Sequence, residues 1–302
     1  MAYKNRKKPY TLIMLEALNK RMRLNTTDRL NYLNAVSGHE GECQLDGRTE
    51  RLKRCLVLND LFLKTNGVSF QIDALVVTRK KLLIYEVKNH EGEYIYKEEH
   101  LHKIKTSIKI LNPMYRLTRT KLLFEQLLRK NGFADFQVEA YVVFINPNFT
   151  LYECPVQTSI LRASNLDKHF EQLAIGLEPL TQRHTLLSNR LCELVIPDEI
   201  DFNLPKYTYA ELKKDLFCST CGAVVTTPIG KFITCQHCLE TMPTIVLICE
   251  HIYDYQYLFP NEAVTISKIY EWCGCKVSKK RIRAVLKSRF EAEGIGRGTH
   301  YV

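Results

Sequence analysis

The spacing of apolar positions along the 302 residues changes several times, and each change marks an element. Between residues 9 and 36, Leu12, Leu15, Leu18 and Met22, then Leu30, Leu33 and Val36, recur at helical spacing. Lys4, Arg6, Lys7, Lys8, Lys20, Arg21 and Arg23 lie around them, so 1–36 reads as a basic helical extension. GHEGE at 38–42 opens a second helix running toward Arg54 despite Gly47. CLVLNDLFL and VSFQIDALVV then read as strands, rich in β-branched and aromatic residues, with LLIYEVKN a third strand and EGEYIYKE a fourth. NPMYRLTRTKLLFEQLLRKNGF is an amphipathic helix. Pro113 suits its first turn, Leu122, Leu123, Leu127 and Leu128 supply apolar positions, and Gly132 ends it. VEAYVVFIN is a buried strand and SNLDKHFEQLA a helix. Strands first, then helix and strand, predict an α/β fold, a mixed central sheet flanked by helices.

Beyond this core, Pro197 to Pro205 punctuates the chain, and the composition changes at a cysteine-rich stretch and again past Glu250. AVTISKIYEWCG and VSKKRIRAVLKSRF read as two short helices joined by a tight turn, with Ser278 an N-cap, and EGIGRGTHYV as a closing hairpin. The expected organisation is an extension at 1–36, an α/β domain at 37–196, a linker at 197–213, a cysteine module at 214–247 and a helical module at 248–302.

Composition narrows the class. With 45% hydrophobic and 25% charged residues the chain is an ordinary globular protein, long enough for two or three units. Its apolar runs, such as Ile245 to Cys249, are far shorter than a membrane span, and the lysine-rich start lacks a signal peptide's apolar core. The expectation is a soluble, cytoplasmic protein with no membrane partner. The net charge of +10 gathers near the start and again between Lys276 and Arg297. Basic blocks favour a polyanion, because each neutralised phosphate releases a counterion, although a solvated face has the same composition.

Eleven cysteines in such a chain argue for thiols or metal ligands rather than disulfides. Cys218-x-x-Cys221 and Cys235-x-x-Cys238, thirteen residues apart, match a zinc ribbon, in which two knuckles present four thiolates to structural Zn²⁺. A redox motif needs one such pair only. His237 lies inside the second knuckle, but four cysteines suffice. Cys273-x-Cys275 beside Trp272 reads as packing before a second metal, and Cys43, Cys55, Cys154, Cys192 and Cys249 as core fillers.

The other candidate chemistry lies at a strand end. If the hairpin turns around Arg79 and Lys80, Asp73 faces Glu86 and Gln71 faces Lys88, all on one side of the sheet. Two facing carboxylates repel unless something neutralises them, and a divalent cation does so. Oxygen ligands select Mg²⁺ or Mn²⁺, which keep waters and take substrate phosphate. Lys88 can then hold or help deprotonate an attacking water. A surface ion pair between Glu86 and Lys88 is the plainer alternative.

From Gly38 to about Asn148 the chain resembles the nuclease-related domain (NERD) family, a branch of the PD-(D/E)XK nuclease superfamily. The resemblance rests on Gly38-His39-Glu40-Gly41-Glu42, VLNDLFL, Gln71-Ile72-Asp73, Glu86-Val87-Lys88-Asn89 with Gly92, Asn112-Pro113, and the strand VVF at 142–144. It implies a restriction-endonuclease-like sheet and metal-dependent cleavage of nucleic acid. Asp73 and Glu86 would be metal ligands, Lys88 the catalytic lysine and Glu42 the helix-borne acid, with Glu40 the runner-up; Gln71 would touch substrate or order water. Met114, Tyr115 and Arg116 follow Asn-Pro where the family often places Gln.

The C-terminal end resembles a winged helix-turn-helix. Ser278 to Arg289 would be the recognition helix and Gly294 to Val302 the wing, with Lys279, Lys280, Arg283 and Lys287 facing nucleic acid. A helical hairpin docking on protein has a similar sequence. The expectation is therefore a Mg²⁺-dependent nuclease acting on DNA, with a zinc ribbon and winged helix gripping it, and with a homodimer left open. The rivals are a non-catalytic DNA-binding regulator or scaffold and an RNA-processing nuclease.

Overall fold

The computed structural model describes residues 2–98, 100–106, 109–155, 159–197, 204–294 and 299–301. The chain forms two compact units, Met1–Lys8 with Asn34–Glu199, and Pro9–Leu33 with Ile200–Val302. The expected extension at 1–36 is thus divided: its first eight residues belong to the first unit, and helix α1 (Tyr10–Arg21) belongs to the second. Helix α2 (Thr26–Thr49) starts well before Gly38, where the Asn25 side chain accepts the Asp28 N–H at 2.8 Å, and runs through all three glycines. No new helix opens at Gly38. Glycine in a helix costs about 1 kcal/mol relative to alanine, which the buried stripe Gly41, Leu45 and Thr49 offsets by packing.

In the first unit the order continues β1 (Leu56–Thr65), β2 (Val68–Val77), β3 (Lys81–Lys88), β4 (Gly92–Lys97), β5 (His100–Lys103), β6 (Lys109–Leu111), α3 (Pro113–Lys130), β7 (Gln137–Phe144), β8 (Phe149–Tyr152), β9 (Ile160–Arg162), α4 (Ala163–Ile175) and α5 (Gln182–Glu193). The central sheet has the order β1-β2-β3-β7-β9, antiparallel through β3 and parallel from β3 to β9. β4 lies outside it. At Gly92, with φ of 102°, the chain leaves the line of β3 and enters a second sheet ordered β6-β5-β4-β8.

Both faces of the central sheet are covered, as a mixed sheet with buried strands requires. Leu45 of α2 and Leu166 and Phe170 of α4 pack with Val57, Ala74, Val76, Leu83 and Tyr85 on one face. Phe124 and Leu127 of α3 and Leu187 and Leu191 of α5 pack with Leu75, Val77, Leu82 and Ile84 on the other. Alternation slips once: Leu58 joins the same cluster as Leu61, and Ile72 the same cluster as Leu75. The slip falls at Asp60, left-handed at φ 55°, where pairing with Asp73 is missing from an otherwise regular β1–β2 ladder. The outer edge of β1 is occupied by the same chain. Tyr3 and Lys4 N–H donate to Val57 O, Asn59 N–H donates to Lys4 O, and Ile196 N–H donates to Phe62 O at 2.9 Å.

The second unit adds β10 (Phe232–Thr234), β11 (Thr241–Pro243), α6 (Thr244–Leu258), α7 (Ile266–Trp272), α8 (Lys279–Arg289), β12 (Ala292–Glu293) and β13 (His300–Tyr301) to α1. β12 and β13 pair antiparallel, and Val264, between α6 and α7, bridges Tyr301. The order helix, isolated bridge, two helices and hairpin is the one the resemblance to a winged helix implies. Ser278 caps α8 as expected, accepting the Arg281 N–H. The tip of the expected wing, 295–298, and residues 198–203 of the expected linker at 197–213 lie outside the described residues. The core centres on Trp272, over which the buried Arg21 guanidinium stacks at 3.6 Å. Among the described residues no helix is long and apolar enough to cross a membrane.

Candidate functional site

The β2–β3 hairpin has the expected register, from Val77 opposite Leu82 to Ala74 opposite Tyr85. The ladder stops there, one pair short of the acids. Asp73 Oδ2 accepts the Val87 N–H at 2.7 Å, so a side chain takes the place of the next backbone bond. Asp73 and Glu86 are only 4% and 1% exposed. Burial, then the Glu86 charge, pushes the Asp73 pKa up, while the Val87 N–H and the charges of Lys88 and Arg116 oppose the rise. Lys88 Nζ and Arg116 Nε, from α3, both reach Glu86 Oε1, at 2.7 and 3.3 Å. α3 is aimed by Asn112, whose side chain accepts the Met114 N–H at 3.0 Å, and by Pro113 in its first turn.

The helix-borne acid arrives by a close approach. A Cβ on Gly41 would lie 2.8 Å from Asn89 Cβ and 3.1 Å from Ile145 Cγ2, so only glycine lets α2 cross the end of β3 at this distance. Asn89 in turn donates to Ser37 O at 2.8 Å. Glu42, next along the helix, is half-buried, and burial followed by the Asp73 charge pushes its pKa up despite Arg6. Glu40 is exposed. Gln71 does not stand across from Lys88 in the ladder. It donates to Asp60 Oδ1 at 2.9 Å, because the slip at Asp60 and Asp73 breaks the alternation that would have kept it on Asp73's face.

Around these acids the structure gathers residues the sequence did not single out. Arg6, its side chain 4% exposed, donates to Glu42 Oε2 at 2.8 Å, to both Asp46 oxygens at 2.9 and 3.0 Å, and to Asp73 O at 2.7 Å. Asp60 did carry a signal, as the one acid inside the apolar run CLVLNDLFL. Arg6 carried none beyond its basic neighbourhood. The buried carboxylates of Asp73 and Glu86 supply only oxygen, which fits a magnesium-class ion with water and phosphate completing its shell. Among the described residues the acids do not bring three ligand atoms within 4.8 Å of one another; Cys218, Cys221, Cys235 and Cys238 do.

Those four thiols form a ready metal site. Sγ of Cys218 lies 3.7 Å from Cys238, and Cys221 3.6 Å from Cys235. A tetrahedral ion with bonds of about 2.3 Å needs edges of about 3.8 Å, as zinc–thiolate sites have. Each knuckle closes on a left-handed residue, Gly222 at φ 71° and Leu239 at φ 61°, whose N–H donates to the carbonyl of the first cysteine. Backbone N–H groups of Cys238 and His237 hold the Cys235 thiol down to about 6. Of the remaining cysteines, Cys273 is buried while Cys275 is exposed, and they join no such group. Of the five cysteines expected to fill the core, Cys55, Cys154, Cys192 and Cys249 are half-buried and pack against the hydrophobic clusters, whereas Cys43 is exposed on α2.

On α8, Ile282, Val285 and Leu286 face inward, and Lys279, Lys280, Arg283 and Lys287 are all exposed. Arg281 is turned differently. It donates to Pro228 O, Ile229 O and Gly230 O at 2.7, 2.9 and 3.1 Å, bracing the ribbon against the helix.

No curated protein matches the chain, and no solved structure does. The family model described as nuclease-related domain matches residues 37–145. That stretch contains Gly41, Glu42, Asp60, Asp73, Glu86, Lys88 and Arg116, and excludes Arg6, the four-cysteine cluster and α6 to α8. Residues 37–145 of this chain are a nuclease-related domain.

Proposed function

We propose that the first unit hydrolyses phosphodiester bonds with a Mg²⁺ or Mn²⁺ ion held by Asp73 and Glu86, and that the second unit, its ribbon closed by structural Zn²⁺, binds the substrate, DNA. The observation that carries this reading is the pair of buried carboxylates on adjoining strand ends, inside a nuclease-related domain, with Lys88 on the same strand as Glu86. Structural economy alone does not favour two buried acids beside each other.

A bound ion would polarise the phosphoryl oxygen and lower the pKa of an attacking water. Asp73, fixed by the Val87 N–H, presents its other oxygen from a set direction. Lys88 Nζ is held 2.7 Å from Glu86, where it can orient the water and offset charge that develops on phosphate. Arg116 is half exposed beside the same carboxylate and offers a contact to the scissile phosphate's neighbour. Glu42 would complete the acidic side and Gln71 would order Asp60 or water. Lys279, Lys280, Arg283 and Lys287 would meet phosphates, a role that α8's one-sided exposure supports.

Incubation of the full chain with circular DNA, linear DNA and RNA, with Mg²⁺ or with EDTA, tests the reading. Cleavage of DNA that needs the metal is expected. Metal-dependent cleavage of RNA alone would move the substrate, and binding of DNA without any cleavage would favour the non-catalytic scaffold.

A further inference from the structure

We propose that Arg6 is a positioning residue of the nuclease centre, a guanidinium from outside the nuclease-related domain that fixes Glu42 of α2 relative to Asp73 of β2. This rests on the reading of Asp73, Glu86 and Glu42 as the acidic set.

The arm that carries Arg6 is placed in register with β1. Lys4 sits in parallel beside Leu58, its backbone bonded on both sides, and its Nζ donates to Asn59 O and Asp60 O at 2.7 and 2.5 Å. That anchor grips the chain at the left-handed Asp60, the point where β1 lets go of Asp73. Two residues on, Arg6 reaches the other side of the same gap. Its bidentate pair with Asp46 sets the plane of the guanidinium, one turn of α2 beyond Glu42. Two of its three remaining N–H groups go to Glu42 Oε2 and to the carbonyl of Asp73.

A clamp that served folding alone would be satisfied by Asp46. Arg6 instead joins one acid's carboxylate on a helix to the other acid's backbone on a strand, at the point where Asp73 has left the β1–β2 ladder. Without it, Glu42, Asp46 and Asp73 face one another in a poorly hydrated recess and Glu42 swings away from the repulsion. With it, the helix-borne carboxylate is held where the strand-borne one can share an ion. Partners that orient metal ligands in this way are typically worth about 10–100-fold in activity or metal affinity.

The test uses the full chain and compares wild type with Arg6→Ala, Arg6→Lys, Glu42→Gln and Asp73→Ala. Single-turnover DNA cleavage is followed across a magnesium titration, and Mn²⁺ binding is measured by calorimetry. Arg6→Ala is expected to lower the saturated rate about 10–100-fold and to raise the half-saturating magnesium concentration about tenfold. Methylguanidinium added to the solution should restore part of the Arg6→Ala rate and none of the Glu42→Gln rate. Arg6→Lys, which keeps the charge and loses the fork, should fall between. Wild-type rate and half-saturation in Arg6→Ala, while Glu42→Gln and Asp73→Ala are impaired, would overturn the role of Arg6 alone. A fall in melting temperature with a rate loss that no guanidinium repairs would reduce Arg6 to a fold clamp and overturn it too. Wild-type cleavage or metal binding that Glu42→Gln and Asp73→Ala leave untouched would overturn the acidic set, and the Arg6 proposal with it.

Discussion

The acid cluster of the first unit and the thiol cluster of the second are two answers to one difficulty, the gathering of groups that repel one another once ionised. The thiols come from two knuckles thirteen residues apart, and local turn geometry alone brings them within 4.8 Å. The acids come from a helix and two strands spread over 45 positions from Glu42 to Glu86, and cations hold them: Arg6 on Glu42, Lys88 and Arg116 on Glu86. A site made by turns is complete once its metal arrives. A site made by tertiary structure must hold its acids together with the protein's own cations, as Arg6, Lys88 and Arg116 do here. The first arrangement suits a permanent ion and the second an exchanging one.

The comparison breaks first if the ribbon does not depend on metal. Zinc binding to such modules contributes on the order of 10 kcal/mol of folding energy or more. Cys218→Ser and Cys235→Ser should each lose one metal per chain and unfold residues 214–245, with the α/β unit intact. Metal analysis joined to hydrogen exchange reads both, and purified wild type without zinc would end the claim. Next in size, Asp73→Ala or Glu86→Ala should lower single-turnover DNA cleavage at least about 10³-fold, about 4 kcal/mol of barrier. DNA binding should persist. Wild-type rates in both variants would show that the acids are packing.

A smaller effect separates glycines that share α2. Gly41→Ala must displace Asn89 or Ile145 and should destabilise the first unit by about 1–3 kcal/mol. Gly47→Ala meets nothing within 4 Å and should stabilise by about 0.5–1 kcal/mol. Thermal melting of the two variants should therefore move in opposite directions; equal shifts would refute the close approach. Smallest per residue, neutralising Lys279, Lys280, Arg283 or Lys287 should each flatten the salt dependence of DNA binding by about one unit of log–log slope. Cleavage at saturating DNA should barely change. An unchanged slope in the quadruple variant would leave α8 to a protein partner.

Much of this could be read in the sequence wherever chemistry is local. The hairpin register from Val77–Leu82 to Ala74–Tyr85 followed from a short turn at Arg79 and Lys80, and the four cysteines from their spacing. What could not be read depends on distant contacts. Gln71 was expected on Asp73's face because strand side chains alternate, but a left-handed residue on the neighbouring strand cancels that rule locally. α2 was expected to begin at Gly38, since glycine usually interrupts helices, yet Gly41 is kept for its lack of a side chain against Asn89. Arg6 lies 67 positions from Asp73, and only the folded arm brings them together.

The covering of β1's outer edge bears on self-association. An open strand edge recruits strands from other molecules, either in orderly dimers with continuous sheets or in aggregates. Here Tyr3 and Lys4 fill one end of that edge and Ile196 takes the Phe62 carbonyl further along. Pairing of a second strand at β1 would therefore have to displace this cover, and deleting the first eight residues would expose a sticky margin as well as removing Arg6.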